Sequence, residues 1–351
     1  MKFRRIVACL DMYGCPNRCR HCWIGHSPNG NLCLDDLKYV AAQFRPYADS
    51  FSIDDWYREP DYKEHYRESW DLCNALSDAR QDHFELISVW RIVRDPEYVK
   101  WLAALGVKVA QLTLFGGREK TDYYTGRKNA YNEILQAIEI LIDNKIAPRI
   151  QFFVNKDTVD ELPHIEKLIA DLDLENRCEA IGQKFCFFLH QGSCDGESEK
   201  LYDVWVTPED LEKIPASLAE RSLEHFGARS LQELFGRTEQ SLYEELVNDH
   251  STASFVTDEP VFYIDKDFNV YPNETAPSPA WCLGNLKTDG VEKALENYAE
   301  SRSLAQHTRL TVPLSEIVRA EGDPSSQRLF GKSDYIMYLL NRYCRKKTSI
   351  D

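Results

Sequence analysis

The sequence contains no run of about 18 apolar residues, the length that a helix needs to cross a bilayer. Its apolar N-terminal stretch ends at Asp11 without a small-residue cleavage site, so it does not fit a signal peptide. Positive charge is also scarce, because 42 Lys and Arg against 57 Asp and Glu leave a net charge of −15. Such an acidic surface repels phosphate backbones. These absences predict a cytoplasmic protein that does not bind membrane, and they disfavour nucleic acid as its partner.

A second close pair of cysteines, which most structural zinc sites would require, is missing as well. The 11 cysteines are an odd number, and a chain of 351 residues is too long for a disulfide scaffold. The single close-spaced set is Cys15, Cys19 and Cys22. Three thiolates can bind three irons of a cubane cluster and leave the fourth iron open, which is typical of catalytic metal. The alternative is a zinc site with His26 or Cys33 as the fourth ligand.

Short apolar runs alternate with helical periodicity over roughly the first 190 residues. This alternation is typical of right-handed βαβ units and a parallel sheet, and six such units fit either an open sheet or a partial barrel. One predicted helix, Thr158–Leu172, begins with Thr158 and Glu161 at the spacing of a capping box. The other predicted helices are Leu34–Phe44, Glu97–Leu105 and Ala130–Ile142, and the predicted strands are Arg5–Leu10, Ser50–Ile53, Phe84–Val89, Val107–Leu114, Arg149–Val154 and Ala180–Phe188.

The alternation ends near residue 190. A charged helical region is predicted to about residue 248, followed by a pair of strands within Pro260–Tyr271 and a helix at Glu292–Leu304. We therefore predict an α/β core at 1–215, a helical connector at 216–255 and a smaller α+β domain at 256–351.

The cysteine loop resembles the signature of the radical S-adenosylmethionine (SAM) superfamily. The spacing of three and then two residues, His21 before the last cysteine, and the position directly after the first strand all match. The resemblance implies a partial (β/α)6 TIM-type barrel, one [4Fe–4S] cluster held by Cys15, Cys19 and Cys22, and SAM bound at the open iron. Enzymes of this family cleave SAM reductively to a 5′-deoxyadenosyl radical, which removes hydrogen from a substrate. It also implies an external electron donor such as flavodoxin or ferredoxin.

Further segments resemble the sulfatase-maturase-like branch of this superfamily. Glu59–Pro60 stands where the family has Gly-Gly-Glu-Pro, without the glycines, and implies that Glu59 contacts the SAM amino group. By the same likeness, Ser88, Thr113 and Asn155 are candidates for polar contacts with SAM at the ends of strands. Arg127 is the candidate for the SAM carboxylate, which a guanidinium binds through two hydrogen bonds.

The C-terminal part resembles a SPASM domain, in which cysteines bind auxiliary clusters. Asn273 replaces the cysteine that usually follows Val-Tyr-Pro, and only Cys282 and Cys344 remain within 256–351. We therefore expect a degenerate SPASM or twitch domain without clusters. The alternative is one auxiliary site built from Cys178, Cys186, Cys194 and Cys282.

Cys282 and Cys194 are candidates for the catalytic hydrogen donor, as in family epimerases, and His190 and Tyr124 are candidates for substrate contacts. The resemblance implies an enzyme that acts on a peptide or small natural product, by dehydrogenation, epimerisation or cross-linking. Because the chain begins almost at its first strand, we expect no N-terminal peptide-recognition domain. The alternatives are a non-catalytic iron–sulfur or zinc protein on a barrel scaffold and, less favoured, an RNA-modifying radical SAM enzyme.

Overall fold

The computed structural model describes residues 2–10, 15–22, 32–54, 62, 64–79, 87–193, 196–272 and 277–348. Within these ranges no helix combines the length and the apolar character that a bilayer crossing requires. The strands are β1 (Phe3–Leu10), β2 (Ala48–Asp54), β3 (Val109–Leu114), β4 (Ala147–Phe153), β5 (Cys186–His190), β6 (Arg237–Thr238), β7 (Val261–Ile264), β8 (Asn269–Tyr271), β9 (Gly284–Asn285) and β10 (Leu329–Phe330).

Helices surround and follow these strands. Short 3-10 turns occupy Arg45–Tyr47, Val159–Glu161 and Ser198–Val204. The α-helices are α1 (Leu34–Phe44), α2 (Tyr66–Leu76), α3 (Val89–Arg94), α4 (Pro96–Ala104), α5 (Arg118–Thr125), α6 (Ala130–Asp143), α7 (Leu162–Asp171), α8 (Leu174–Ala180), α9 (Pro208–Leu211), α10 (Ala216–Phe226), α11 (Leu231–Phe235), α12 (Glu239–Leu246), α13 (Val291–Ala299), α14 (Leu304–Thr311), α15 (Leu314–Glu321) and α16 (Lys332–Thr348).

The first sheet has the order β2-β1-β7-β8-β9 and joins the two halves of the chain. β1 has parallel neighbours on both sides, so that Cys9 is paired with Asp54 of β2 and with Tyr263 of β7. β7 and β8 form the antiparallel hairpin that the sequence predicts, and Phe268 adopts a left-handed conformation (φ 66°) at its turn. The apolar core on one side of this sheet is shared by β1, α1, β7 and α13. The core therefore crosses the expected domain boundary at residue 256.

The second sheet consists of β3, β4 and β5, all parallel. Alternate residues such as Leu112, Ile150 and Phe187 are buried in the core that the surrounding helices complete. The intervening residues, among them Gln111 and Gln151, lie on the opposite face, because successive side chains of a strand point to opposite sides. This polar face builds most of the site described below.

Several predicted elements differ from the structure. The helix predicted at Glu292–Leu304 ends at Ala299, and a separate helix begins at Leu304. Of the predicted strand Phe84–Val89, residues 84–86 lie outside the described part, and α3 begins at Val89. The strand predicted at Ala180–Phe188 begins at Cys186 instead, and Ala180 is the last residue of α8. The capping box at Thr158 and Glu161 is wrong.

The side chains expected to form that box bond elsewhere. The Thr158 hydroxyl accepts the N–H of Asn155 at 2.8 Å, and the Glu161 carboxylate accepts the N–H of Gly117 at 2.8 Å. Both side chains therefore stabilise loops that follow strands, and neither caps its own helix.

Candidate functional site

A cavity of about 440 Å³ lies at and below the C-terminal ends of β3, β4 and β5, next to the cysteine loop. This size is typical of small-molecule sites, and the C-terminal ends of the strands are where β/α barrels place their active sites. The lining brings together four of the residues that the sequence singled out for cofactor binding: Cys15, Cys19, Thr113 and Arg127.

Backbone hydrogen bonds hold the cysteine loop against the end of α5. The N–H of Arg18 donates to the carbonyl oxygen of Thr125 at 2.9 Å, and the N–H of Arg20 donates to that of Tyr124 at 2.8 Å. The helix ends there because Gly126 adopts a left-handed conformation with φ 64°. The position of the loop is therefore set by a helix more than 100 residues further along the chain.

All three cysteines of this loop are half-buried, and two of them line the cavity. The N–H of Cys22 donates to the carbonyl oxygen of Cys19 at 3.2 Å, which places the last two cysteines on one turn. Three thiols on one short loop beside a cavity fit a cluster that keeps one iron open. Among the residues that the structure describes, no three His, Cys, Asp or Glu side chains are grouped as ligands of a single metal ion.

Some buried polar atoms at this cavity have no hydrogen-bond partner among the described residues. His21 lies against the rings of Phe115 and Phe153, with centroid distances of 4.8 and 4.5 Å, and its Nδ1 is one such atom. The Oγ of Ser193 is another. Buried polar groups in folded proteins are nearly always hydrogen-bonded, so these atoms are available to a bound ligand or water. Burial, and after it the proximity of His190, lowers the pKa of His21 to about 3.

His190, the last residue of β5, lines the cavity as a neutral hydrogen-bond donor. Its Nδ1 accepts the N–H of Gly192 at 2.9 Å, so the ring proton is assigned to Nε2. Burial lowers the pKa of His190, which keeps the ring uncharged at pH 7. The backbone passes close to a ring here, since a Cβ at Gly192 would lie 2.4 Å from Phe153.

Arg127 brings positive charge to the end of the cavity near the cysteine loop. Its Nε donates to Oδ1 of Asn17 at 2.7 Å, and its Nη1 is paired with Glu133, which also accepts Arg94 at 2.6 Å. Burial alone would raise the pKa of Glu133, but the hydrogen bonds from Arg94 and Arg127 lower it on balance. Two guanidinium groups share one carboxylate, so this end of the cavity retains positive charge and suits an anionic ligand group.

A row of hydrogen-bonded polar side chains continues deeper along β3 and β4. Oε1 of Gln151 accepts both Nε2 of Gln111 at 2.8 Å and Oγ1 of Thr113 at 3.1 Å. Behind them, Arg149 donates to Oε1 of Gln111 at 2.8 Å. Gln111 and Gln151 are not among the residues predicted from the sequence, although their alternation with buried apolar residues indicates that they share one face.

Two of the other proposed SAM contacts lie outside the cavity lining. Ser88 is buried and caps α3, because its hydroxyl accepts the N–H of Arg91 at 3.2 Å. Asn155 is also buried, and its Oδ1 accepts the hydroxyl of Tyr124 at 3.4 Å and the N–H of Asp157 at 2.8 Å. The Nδ2 of Asn155 has no partner in the described part of the chain. Asn155 therefore has an amide donor to offer, whereas Ser88 is already used by its helix.

The remaining candidates are placed apart from the cavity or lie outside the described residues. Cys282 is half-buried near Tyr271, and its Sγ approaches the carbonyl oxygen of Gly284 at 3.7 Å. Burial raises the pKa of the Cys282 thiol. Tyr124 is almost fully buried, and its hydroxyl donates to Asp157 at 3.0 Å. Glu59, Cys194, His26 and Asn273 lie outside the described residues.

Comparisons with known proteins agree with this arrangement. Residues 10–169 match the family model described as the radical SAM superfamily, whereas a search of curated proteins gives no significant match. Native anSMEcpe with bound AdoMet (SAM) and Kp18Cys peptide is similar at a TM-score of 0.50, with 14% identity over 98% of both chains. Native anSMEcpe with bound AdoMet gives a TM-score of 0.49, with 14% identity over 98% of both chains. SuiB of Streptococcus suis bound to the precursor peptide SuiA gives 0.38, with 12% identity over 77% of this chain and 59% of SuiB.

The fold of the first of these structures extends over nearly the whole chain and confirms the expected partial barrel. The family match begins at the last residue of β1 and includes the cysteine loop, Thr113, Arg127 and Asn155. Enzymes of the superfamily use a [4Fe–4S] cluster and SAM. We therefore identify residues 10–169 as a radical SAM domain.

Proposed function

We propose that Cys15, Cys19 and Cys22 hold the [4Fe–4S] cluster and that SAM binds beside it in the cavity. The proposal depends on one observation above all: Asn17 of the cysteine loop accepts Arg127 at 2.7 Å, at the wall of the same cavity that Cys15 and Cys19 line. When bound, the cluster supplies the electron that splits SAM into methionine and a 5′-deoxyadenosyl radical. The residues of the chain then act by binding and orienting SAM and by excluding water.

The polar groups around the cavity divide among the parts of SAM. Arg127 is assigned to the carboxylate, because its end of the cavity retains positive charge. Thr113 lines the cavity, and the Nδ2 of Asn155 has no partner among the described residues, so both are assigned to other polar groups of SAM. Glu59 is assigned to the amino group by family resemblance. Ser88 is assigned an indirect role, through the start of α3.

A peptide is the first substrate class to test, with a small natural product as the second. The fold is that of anSMEcpe, which binds the Kp18Cys peptide. Dehydrogenation, epimerisation and cross-linking all begin with removal of a hydrogen atom. Cys282 and Cys194 stay proposed as hydrogen donors, and flavodoxin or ferredoxin as the electron source. We further propose that the enzyme is cytoplasmic and that 256–351 is a SPASM-like domain without clusters.

Anaerobic reconstitution of the wild-type protein and of two cysteine variants tests the proposal. The wild type should bind about four irons per chain and release 5′-deoxyadenosine when reduced with SAM. Cys19→Ala should lose both properties. Cys33→Ser is the matched control, because Cys33 is exposed at the N-cap of α1, where serine is a favourable residue. One bound zinc without SAM cleavage, or equal loss in Cys33→Ser, would overturn the assignment.

A further inference from the structure

The inner face of β3 and β4 is polar, whereas the interior of a β/α barrel is normally filled by branched apolar side chains. Gln111 and Gln151 line the cavity at positions whose strand neighbours, Leu112 and Ile150, are fully buried. Placing amides in a barrel interior is unfavourable unless they are hydrogen-bonded. A pair of amides facing an open cavity therefore indicates a binding surface.

The hydrogen bonds within this row leave one amide donor facing the cavity. The oxygen of Gln151 already accepts two hydrogen bonds, from Gln111 and Thr113. Its Nε2 donates to no residue in the described part of the chain, so two N–H bonds are available to a ligand. The amide of Gln111 is fixed at both ends, by Arg149 on its oxygen and Gln151 on its nitrogen. Gln111 thus orients Gln151, and Gln151 presents the donor.

The charges of the described lining residues favour an uncharged polar ligand group at Gln151. Among the described lining residues the one formal charge is Arg127, which is paired with Glu133 and lies near the cysteine loop. Arg149 lies behind Gln111 and is not part of the lining. A charged group beside Gln151 would lose hydration without contacting an opposite charge on any described lining residue. An apolar group would leave the Gln151 amide unpaired.

We propose that Gln151 is a substrate-recognition residue and that it binds the carbonyl oxygen of an uncharged amide, either a peptide bond or an Asn or Gln side chain. The inference rests on the proposed function, which gives the cysteine-loop end of the cavity to SAM and leaves the deeper end to the substrate. Thr113, assigned to SAM, donates to Gln151 and so lies between the two groups. An amide bound at Gln151 would therefore lie next to SAM.

Small aromatic probes that differ in one functional group test this preference. Benzamide, benzoate and toluene have rings of the same size that can pack against Phe115 and Phe153, and they offer an uncharged amide, a carboxylate and a methyl group. We would measure their dissociation constants by saturation-transfer NMR on the reconstituted holoenzyme with SAM. Benzamide should bind about tenfold more tightly than either of the others, as expected for one net hydrogen bond.

Variants of the recognition residue complete the test. Gln151→Met should abolish the preference for benzamide, while Gln136→Met, on an exposed position of α6, should keep it. If the Met variant does not fold, Gln151→Leu serves instead, because it removes both donors without adding a charge. Tightest binding of benzoate, or an unchanged preference in the Gln151 variants, would overturn the inference.

Iron content and 5′-deoxyadenosine release are measured on the same samples. A wild type that binds about four irons and cleaves SAM but shows no preference for benzamide refutes the amide site alone. A wild type without iron or SAM cleavage refutes the proposed function itself. The two failures are therefore distinguishable.

Discussion

Gly126 lies directly against the backbone of Arg18, since a Cβ at Gly126 would be 2.6 Å from the Arg18 carbonyl oxygen. The contact fixes the cysteine loop on the end of α5, together with the hydrogen bonds that Arg18 and Arg20 donate. No other residue type allows such an approach, because glycine alone lacks the Cβ atom. The geometry of the proposed cluster ligands therefore depends on a residue outside the cysteine motif.

Gly126→Ala should impair cluster assembly beyond its effect on α5. Gly227→Ala is a matched control: Gly227 ends α10 in nearly the same conformation (φ 65°), but nothing lies within 4 Å of a Cβ there. Each substitution strains a left-handed residue by about 1 kcal/mol, and only Gly126→Ala displaces the loop. We expect less bound iron and an altered electron paramagnetic resonance spectrum of the reduced cluster with SAM. Equal spectra and iron contents in the two variants would contradict this.

Glu133→Gln should destabilise the protein by about 2 kcal/mol at pH 7, because it leaves Arg94 and Arg127 without their shared carboxylate. The folded-state pKa of Glu133 is lowered, so the stabilisation is present above its unfolded pKa and is lost as the pH falls through the folded value. Urea unfolding of both proteins from pH 7 to pH 3 measures this. The difference should shrink below about pH 4.3, and a constant difference would speak against an ionised Glu133.

His190 should remain neutral, with its proton on Nε2, at pH values below the ordinary histidine pKa. Burial penalises the charged ring, and the N–H of Gly192 occupies Nδ1. The nitrogen chemical shifts of ¹⁵N-labelled histidine in the cluster-free protein report both the charge and the tautomer. A titration near pH 6.5, or a proton on Nδ1, would show that this hydrogen bond is not formed.

Cys282 should react with iodoacetamide at least about tenfold more slowly than Cys33 at pH 8. Burial raises the pKa of the Cys282 thiol, and only the thiolate is a strong nucleophile, whereas Cys33 is exposed. Peptide mapping by mass spectrometry gives both rates from one sample. Equal rates would mean that Cys282 is accessible and ionised, and would weaken its proposed role as an S–H hydrogen donor.

Local patterns were sufficient to predict most elements of the barrel. Leu34–Phe44 was predicted with the bounds it has, because its apolar residues recur at helical spacing. The capping box at Thr158 failed because the same two side chains have stronger partners in neighbouring loops. The spacing of Thr158 and Glu161 cannot reveal that competition.

The sequence predicts those parts of the candidate site that belong to one continuous motif. It does not predict the contacts between segments that are distant in the chain. The cysteine loop was found from the spacing of its residues, and Arg127 by resemblance. Glu133 and Gln151 were not, because their importance arises only when α6 and β4 place them next to Arg127 and Gln111. A glutamate in an amphipathic helix or a glutamine in a strand is, by itself, indistinguishable from a solvated surface residue.

The parallel pairing of β1 with β7 determines when the cysteine loop can reach its final form. Val7 pairs with Val261, so one edge of β1 stays open until the segment that contains β7 has been synthesised. Such long-range parallel pairing is slow to form, and an open strand edge favours aggregation. Iron binding at the three proposed ligands would thus be coupled to a late folding event, because a nascent chain that stops before Val261 carries these cysteines on an unfinished sheet.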